Sequence, residues 1–506
     1  MSLPLHSSTE NCNNESQNRY FLYTFGFHYY KYFIRMEVIG REKEKKILEN
    51  ALTSSQSELL VVYGRRRIGK TFLIRETYKN QLAFEFVGMY KASTREQLKL
   101  FQQSLSNFSK TKLKAPTNWL EAFQQLKNYC DTLTGNKKKV LFIDEFPWLD
   151  NNKSSFLKAF DNFWNSYATK RNDLVVVICG SAAAYMINKI IRNKGGLHNR
   201  LTEKIRIEPF NLRETELLLK KNRVKLTRYD ILQLYMVMGG IPHYLQKILP
   251  GESAVQAIDR LCFEKDGFLR NEFKDVFASL FGQVENHETI IRCLARVRKG
   301  LSRNKLLELT KLPSGGNLTR TLNELEESGF IEQYAAYQGN KNALYRLKDE
   351  YCNFYIKYIE KSKPSKQGVW NKLQNQSSFS SWAGFTFETI CIKHIEQIKE
   401  SLKIAGIYST IGSWIEKNNE NGAQIDLLID RDDNVINLCE MKFYNGLFTI
   451  SKKYAEELQN KMNLFSESTK KKKSLYISFI TTYGIKENEY SKQFVQNSLK
   501  LDDLFL

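Results

Sequence analysis

No stretch constrains the fold of this chain more than Leu59-Leu60-Val61-Val62-Tyr63-Gly64-Arg65-Arg66-Arg67-Ile68-Gly69-Lys70-Thr71. An apolar run leads to a glycine, four further residues and then Gly-Lys-Thr, the full G-x-x-x-x-G-K-[ST] spacing of a phosphate-binding loop. The β-branched run predicts an entering strand, and Phe72 to Glu76 predicts a leaving helix. Glycines at Gly64 and Gly69 let backbone N–H groups of residues 64–71 wrap a polyphosphate, and the helix N-terminus adds partial positive charge. Within this loop Lys70 is placed to reach the β/γ-phosphates of ATP and Thr71 to ligate Mg²⁺.

A second apolar run, Val140-Leu141-Phe142-Ile143, ends in Asp144-Glu145. Continuous apolar runs are the mark of parallel strands covered on both faces, and the C-terminal ends of such strands face the ligand crevice. Asp144 is therefore read as the Mg²⁺ holder, directly or through water, and Glu145 as the residue that orients and deprotonates the attacking water. Leu174 to Cys179 forms another buried strand, with Gly180-Ser181 at its tip. In P-loop ATPases of the additional-strand type a polar group there senses the γ-phosphate; Ser181 is read in that role or as a plain strand-end cap.

At 506 residues the chain has room for three or four domains. Its net charge of +21 points to a polyanionic partner, nucleic acid before membrane. The eight cysteines show no C-x-x-C spacing, which fits neither a disulfide scaffold nor a zinc site and suggests a reducing, cytoplasmic setting. Residues 1–35 differ from the rest: a Ser/Asn-rich tail precedes a Phe/Tyr-crowded segment, so either Met36 is read as the natural start or the extension as dispensable. Beyond it, patterning predicts a helix over 42–52, strands over 83–87 and 204–207, and helices over 94–108 and 119–131. Phe156, Leu157, Phe160, Phe163 and Trp164 predict a core-facing helix.

Taken together, Val38-Ile39-Gly40-Arg41-Glu42, the GRRRIGKT loop, LFIDEFPWL, ICGSA, the segment from Gly196 to Phe210 and Gly239-Gly240-Ile241-Pro242 resemble the archaeal-type ATPase family, an AAA+/STAND-like branch of P-loop ATPases. The resemblance implies a P-loop ATPase domain over 36–210, a helical lid over 211–284, and self-association through the ATPase domain. It also places Arg200 where an arginine finger or sensor would act on the transferring phosphoryl group, a surface arginine being the other reading. Residues 285–350 pattern as helix, turn, helix and hairpin, a winged helix. Arg320 and Lys341 are its exposed basic residues, placed for contact with DNA or serving a structural module.

Residues 351–378 read as a linker, and 379–506 as a last α/β domain. Residues 424–430 and 434–443 pattern as strands, so Glu440 and Lys442 share a face. The order Glu388, Asp426, Glu440-x-Lys442 resembles the PD-(D/E)xK, restriction-endonuclease-like fold, which archaeal-type ATPases commonly carry at the C-terminus. That resemblance implies Mg²⁺ on Asp426 and Glu440, a water positioned by Lys442, and assistance from Glu388; the other reading is a structural ion pair in an inactive domain. A shared cation requires Asp426 opposite Glu440, which predicts an odd-numbered loop of Asp432, Asp433 and Asn434 or a bulge. The chain thus reads either as an ATP-dependent enzyme acting on nucleic acid, DNA favoured, or as a nucleotide-dependent switch.

Overall fold

The protein is described by a computed structural model over residues 37–151, 153–192, 195–197, 199–281, 284–297, 300–334, 337, 343–364, 368–416, 422–469 and 472–506. The extension 1–35, the start at Met36 and Lys341 of the wing lie outside the described residues. Five strands, β1 (Glu58–Tyr63), β2 (Leu82–Val87), β3 (Lys139–Asp144), β4 (Leu174–Gly180) and β5 (Glu203–Arg206), form a sheet in the order β2-β3-β4-β1-β5. Every pairing is parallel, so all five C-terminal ends lie on one edge. The unbroken apolar runs follow from burial on both faces: Leu60 and Val62 of β1 enter one core, Leu59 and Val61 another. The second core is aromatic. Phe156, Phe160, Phe163 and Trp164 of the helix Phe156–Ser166 pack there with Phe123 and Trp119.

β4 lies between β1 and β3, which brings the tip after Gly180 beside both the phosphate loop and Asp144. The lid consists of short helices including Leu212–Lys221 and Arg228–Met238, and the helix Phe268–Leu280 follows. Next come the helices Arg303–Thr310 and Gly316–Glu327, the latter followed by Gly329 at φ 76. The hairpin β7 (Ile331–Tyr334) and β8 (Leu344–Leu347) pairs with the short β6 (Leu301–Ser302). Two helices thus precede a hairpin whose second strand also pairs with a short strand ahead of them.

Residues 351–378, expected as a linker, are corrected by the structure. Helices run over Glu350–Phe354 and Val369–Gln374, and Tyr351, Phe354 and Trp370 are buried. The Lys/Ser/Gln composition of 361–368 concealed an aromatic cluster in which Trp370 meets Phe354 at 5.2 Å and Trp382 at 6.0 Å.

The C-terminal sheet orders β13 (Val495–Leu499), β12 (Ser474–Thr481), β11 (Val435–Lys442), β10 (Ala423–Arg431) and β9 (Ser409–Glu416). β9, β10 and β11 form an antiparallel meander, and β12 and β13 run parallel to β11. The helix Lys452–Thr469 supplies Ala455, Leu458 and Phe465 to one face, and Ser377–Lys393 supplies Phe387 and Ile390 to the other. Leu427 faces Cys439 and Asp430 faces Ile436, a register that sets Asp426 opposite Glu440. The connection is the odd-numbered loop 432–434, with Asn434 at φ 62 in the left-handed position such loops use. A bulge in β10 against β9, between Ile425 and Leu428, adds a local bend beside Asp426.

His394 ties this domain to the lid. Its Nε2 accepts from the Leu212 amide (3.0 Å) and its Nδ1–H donates to the Ile390 carbonyl (2.7 Å), so the ring is neutral. Burial pushes its pKa down to about 4. The unfolded chain protonates near 6.5 while the folded one resists until about 4. Stability supplied by neutral His394 is therefore whole above pH 6.5 and is lost as pH falls toward 4. The loss should be about 3 kcal/mol, at 1.36 kcal/mol per pKa unit. Denaturant titrations at stepped pH should show that slope, and His394→Gln should flatten it.

Candidate functional site

The phosphate loop joins the end of β1 to the helix Lys70–Tyr78, and its path depends on backbone that only certain residues adopt. Gly64 lies at φ 143, and a Cβ there would sit 2.3 Å from the Ile207 carbonyl oxygen. Gly64→Ala is therefore expected to displace the loop at a cost on the order of 1–3 kcal/mol. It should weaken ATP binding in equilibrium titration; wild-type affinity would show that the close approach to Ile207 is not needed. Gly69, at φ 88, precedes the first turn of the helix. Ile68 is buried in the core, anchoring the loop from below.

Lys70 Nζ donates to the carbonyls of Gly64 (3.0 Å) and Arg65 (2.8 Å), so the ammonium is held inside the loop. Thr71 Oγ1 donates to Asp144 Oδ2 at 2.6 Å. A hydroxyl and a carboxylate in contact at the mouth of such a loop are hard oxygen donors of the kind Mg²⁺ takes. Asp144 Oδ1 accepts from the Glu145 amide at 2.9 Å, and Glu145 sits at φ 46, where the chain turns sharply out of β3. Its carboxylate accepts from Ser181 Oγ at 2.8 and 3.1 Å. Ser181 is buried and touches the carboxylate next to Asp144, which is more than a strand-end cap requires. Burial raises the Glu145 pKa, with the Lys70 charge opposing, so the carboxylate is more basic than an exposed one.

Other expected residues lie elsewhere. The side chains of Arg65 and Arg67 turn to acidic partners, Asp349 and Glu272, while Arg66 is half-buried. Arg200 is exposed and is not brought to this edge. Thr202 bonds Leu59 at the start of β1, whereas the phosphate loop leaves the other end of that strand.

In the C-terminal domain a cavity of about 420 Å³ is lined by Glu388, Gln424, Asp426 and Lys461, with Tyr334 and Arg346 of the β7–β8 hairpin. Glu440 is buried, and Lys461 Nζ (2.5 Å), the Tyr454 hydroxyl (2.6 Å) and Lys442 Nζ (3.4 Å) hold its carboxylate. Asp426 accepts from Gln424 Nε2. Burial raises the Asp426 pKa and Glu440 adds to it; burial also opposes ionisation of Glu440, but Lys461 and Lys442 bring its pKa below the usual value. The two carboxylates therefore interact, and they differ in protonation tendency. Lys442 is half-exposed beside Glu440, over the Tyr454 ring at 5.1 Å. Lys461 and Tyr454 were missed by sequence reasoning. Their signal was present: Tyr454, Glu457 and Lys461 recur at i, i+3, i+7 on a helix that also buries Ala455 and Leu458. Among the described residues no group of three or more His, Cys, Asp or Glu is arranged to hold a metal.

A parallel sheet with a phosphate loop after β1 and an acidic pair at the tip of β3, on the far side of β4, has the make-up of a P-loop ATPase domain. Residues 39–248 match a family described as an ATPase domain predominantly from Archaea. Residues 351–458 match a second, described as archaea bacterial proteins of unknown function. The chain is 27% identical over 400 residues to the uncharacterized protein MJECL04 of Methanocaldococcus jannaschii, covering 78% of this chain and 84% of that one. It is 37% identical over 43 residues to the uncharacterized ATP-binding protein MJ0423 of the same organism, 8% of this chain and 73% of the other. Among solved structures it is similar to the Walker-type ATPase paby2304 of Pyrococcus abyssi (TM-score 0.48, 17% identity, 64% of this chain, 97% of that). It is also similar to the ORC2 protein of Aeropyrum pernix in its ADPNP–ADP complexes (TM-score 0.40, 16% identity, 63% and 91%). No helix among the described residues is long and apolar enough to cross a membrane.

Proposed function

We propose that the protein hydrolyses ATP with Mg²⁺ at Gly64–Thr71, Asp144 and Glu145, and that this cycle serves an action on nucleic acid by the C-terminal half. The observation that carries the reading is the continuous set of bonds from Thr71 to Asp144 and from Ser181 to Glu145 at one sheet edge. Thr71 and Asp144 would hold Mg²⁺, which when bound neutralises charge on the β/γ-oxygens. Lys70 faces the same oxygens. Glu145 takes the proton of the attacking water, and Ser181 holds its carboxylate in place. Phosphate release that requires Mg²⁺ and vanishes in Lys70→Ala tests this; release that persists in that variant removes the loop from the reaction.

Nucleic acid is supported by the net charge of +21 and the winged-helix geometry, with Arg320 exposed on the second helix. DNA binding by the full chain should weaken steeply between 50 and 200 mM salt, on the order of 10³-fold or more if six or more phosphates are contacted. A salt-independent association would end the nucleic-acid reading. Within it, Asp426, Glu440 and Lys442, with Glu388, form a phosphodiester-cleaving site. Support comes from the opposed carboxylates; against it, Lys461 and Tyr454 take up the Glu440 oxygens, leaving the acidic set short of ligands for a cation.

That same occupation favours a second reading, a nucleotide-dependent switch whose last domain only binds. The wing is also engaged, since the Tyr337 amide donates to the Ser413 carbonyl at 2.8 Å and its hydroxyl to Asp430 at 2.5 Å. A cleavage assay with Mg²⁺, with and without ATP, separates the two. Cleavage abolished by Lys442→Ala with ATP hydrolysis intact supports the first; nucleotide-dependent association without cleavage supports the second.

A further inference from the structure

Two arginines of the phosphate loop grip elements more than two hundred residues away. Arg65 is 4% exposed and ion-pairs with Asp349, itself 4% exposed; its guanidinium lies 4.7 Å over the Phe330 ring. Asp349 is fixed in turn: its Oδ1 accepts from the Cys352 amide at 2.7 Å, capping Glu350–Phe354, and its amide donates to the Phe330 carbonyl at 3.2 Å. Phe330 precedes β7 and Asp349 follows β8, so Arg65 holds the base of the winged-helix hairpin. Arg67 Nη1 lies 2.6 Å from Glu272 Oε2, and its guanidinium lies 5.2 Å from the Phe268 ring centroid. Glu272 is 1% exposed and accepts from the Tyr244 hydroxyl at 2.8 Å, while the Arg67 carbonyl accepts from the His243 amide.

These contacts bear on the loop's shape. Arg67 lies at φ 71, a left-handed conformation uncommon for residues other than glycine, and the Glu272 contact holds its side chain in that setting. Arg65 Nε and Nη2 are buried with no hydrogen-bond partner among the described residues, so the guanidinium depends heavily on the Asp349 charge. Removing one partner of a buried ion pair leaves the other uncompensated, which makes such a pair sensitive to displacement of either side.

We propose that Asp349 and Glu272 are positioning residues for the phosphate loop, holding it through Arg65 and Arg67 in the form that accepts the triphosphate, so that ATP and the winged-helix hairpin stabilise each other's arrangement. The reciprocity follows from linkage: a hairpin that favours the binding form of the loop is itself favoured when ATP binds. The proposal rests on ATP binding at Gly64–Thr71.

The test uses the full chain, ATP with Mg²⁺, equilibrium titration, steady-state kinetics and amide hydrogen exchange. Asp349→Asn and Glu272→Gln keep side-chain size and remove charge. Each is expected to weaken ATP binding by about five- to 150-fold, the usual range of a coupling between sites. Turnover at saturating ATP should change far less, and Asp349→Glu should restore part of the affinity. In the wild type, ATP should slow exchange across residues 330–334 and 343–349, an effect absent in Lys70→Ala. That exchange measurement needs no destabilised variant. A wild type that binds ATP through Lys70 yet shows unaltered exchange in the hairpin overturns the proposal, as does unchanged affinity in both folded variants. A wild type that binds no ATP instead overturns the ATP reading on which it rests.

Discussion

Glu145→Gln is expected to keep ATP affinity and to slow phosphate release by roughly 10²–10⁴-fold, the range for loss of a general base. Glutamine retains the shape of the side chain and its contact with Ser181, but its amide takes no proton from water. The bonds of Lys70 with the loop carbonyls and of Thr71 with Asp144 do not involve the Glu145 side chain. Binding and chemistry should therefore separate in this variant. Burial raises the Glu145 pKa, so the wild-type rate should fall on acidification at higher pH than an exposed glutamate would dictate. The residual rate of Glu145→Gln should lack that acid limb. Unchanged turnover in single-turnover and steady-state assays would remove Glu145 from the chemistry.

Trp370→Ala is expected to destabilise the protein by about 3–5 kcal/mol, the usual cost of deleting a buried tryptophan. Trp370 is 1% exposed and packs edge-on against Phe354, Tyr358, Phe379 and Trp382. Its amide also donates to Asp259 Oδ1 at 2.8 Å, joining this segment to the lid. A linker tryptophan would tolerate the change within about 0.5 kcal/mol, as surface positions do. Equilibrium denaturation of the two proteins decides between these, and a near-wild-type midpoint would return 351–378 to the status of a connector.

The ATPase half was legible because its signals are local. A phosphate loop needs particular residues at fixed spacing, and Asp144 and Glu145 follow directly from the buried strand that delivers them. The opposition of Asp426 and Glu440 was expected only on the condition that they share a cation. Pleating has a period of two, so that condition required an odd-numbered loop, which the structure has at 432–434. The segment 351–378 was not legible, because Lys361, Ser362 and Lys363 lower its mean hydropathy while its aromatic residues are too widely spaced to give one period.

By itself, then, the sequence determined the strands of the first sheet, the phosphate loop and the acidic pair at the tip of β3. Each depends on residues close together along the chain. Tertiary structure alone decided that Ser181 meets Glu145, that Lys461 reaches Glu440, and that Arg65 and Arg67 turn toward Asp349 and Glu272. It also tied Thr202, two residues after Arg200, to Leu59 near the start of β1. Those outcomes depend on which strand is inserted between which, and on where distant helices come to rest. A charged side chain in a sequence carries no mark of its partner; only the burial that removes water from both makes the pairing necessary.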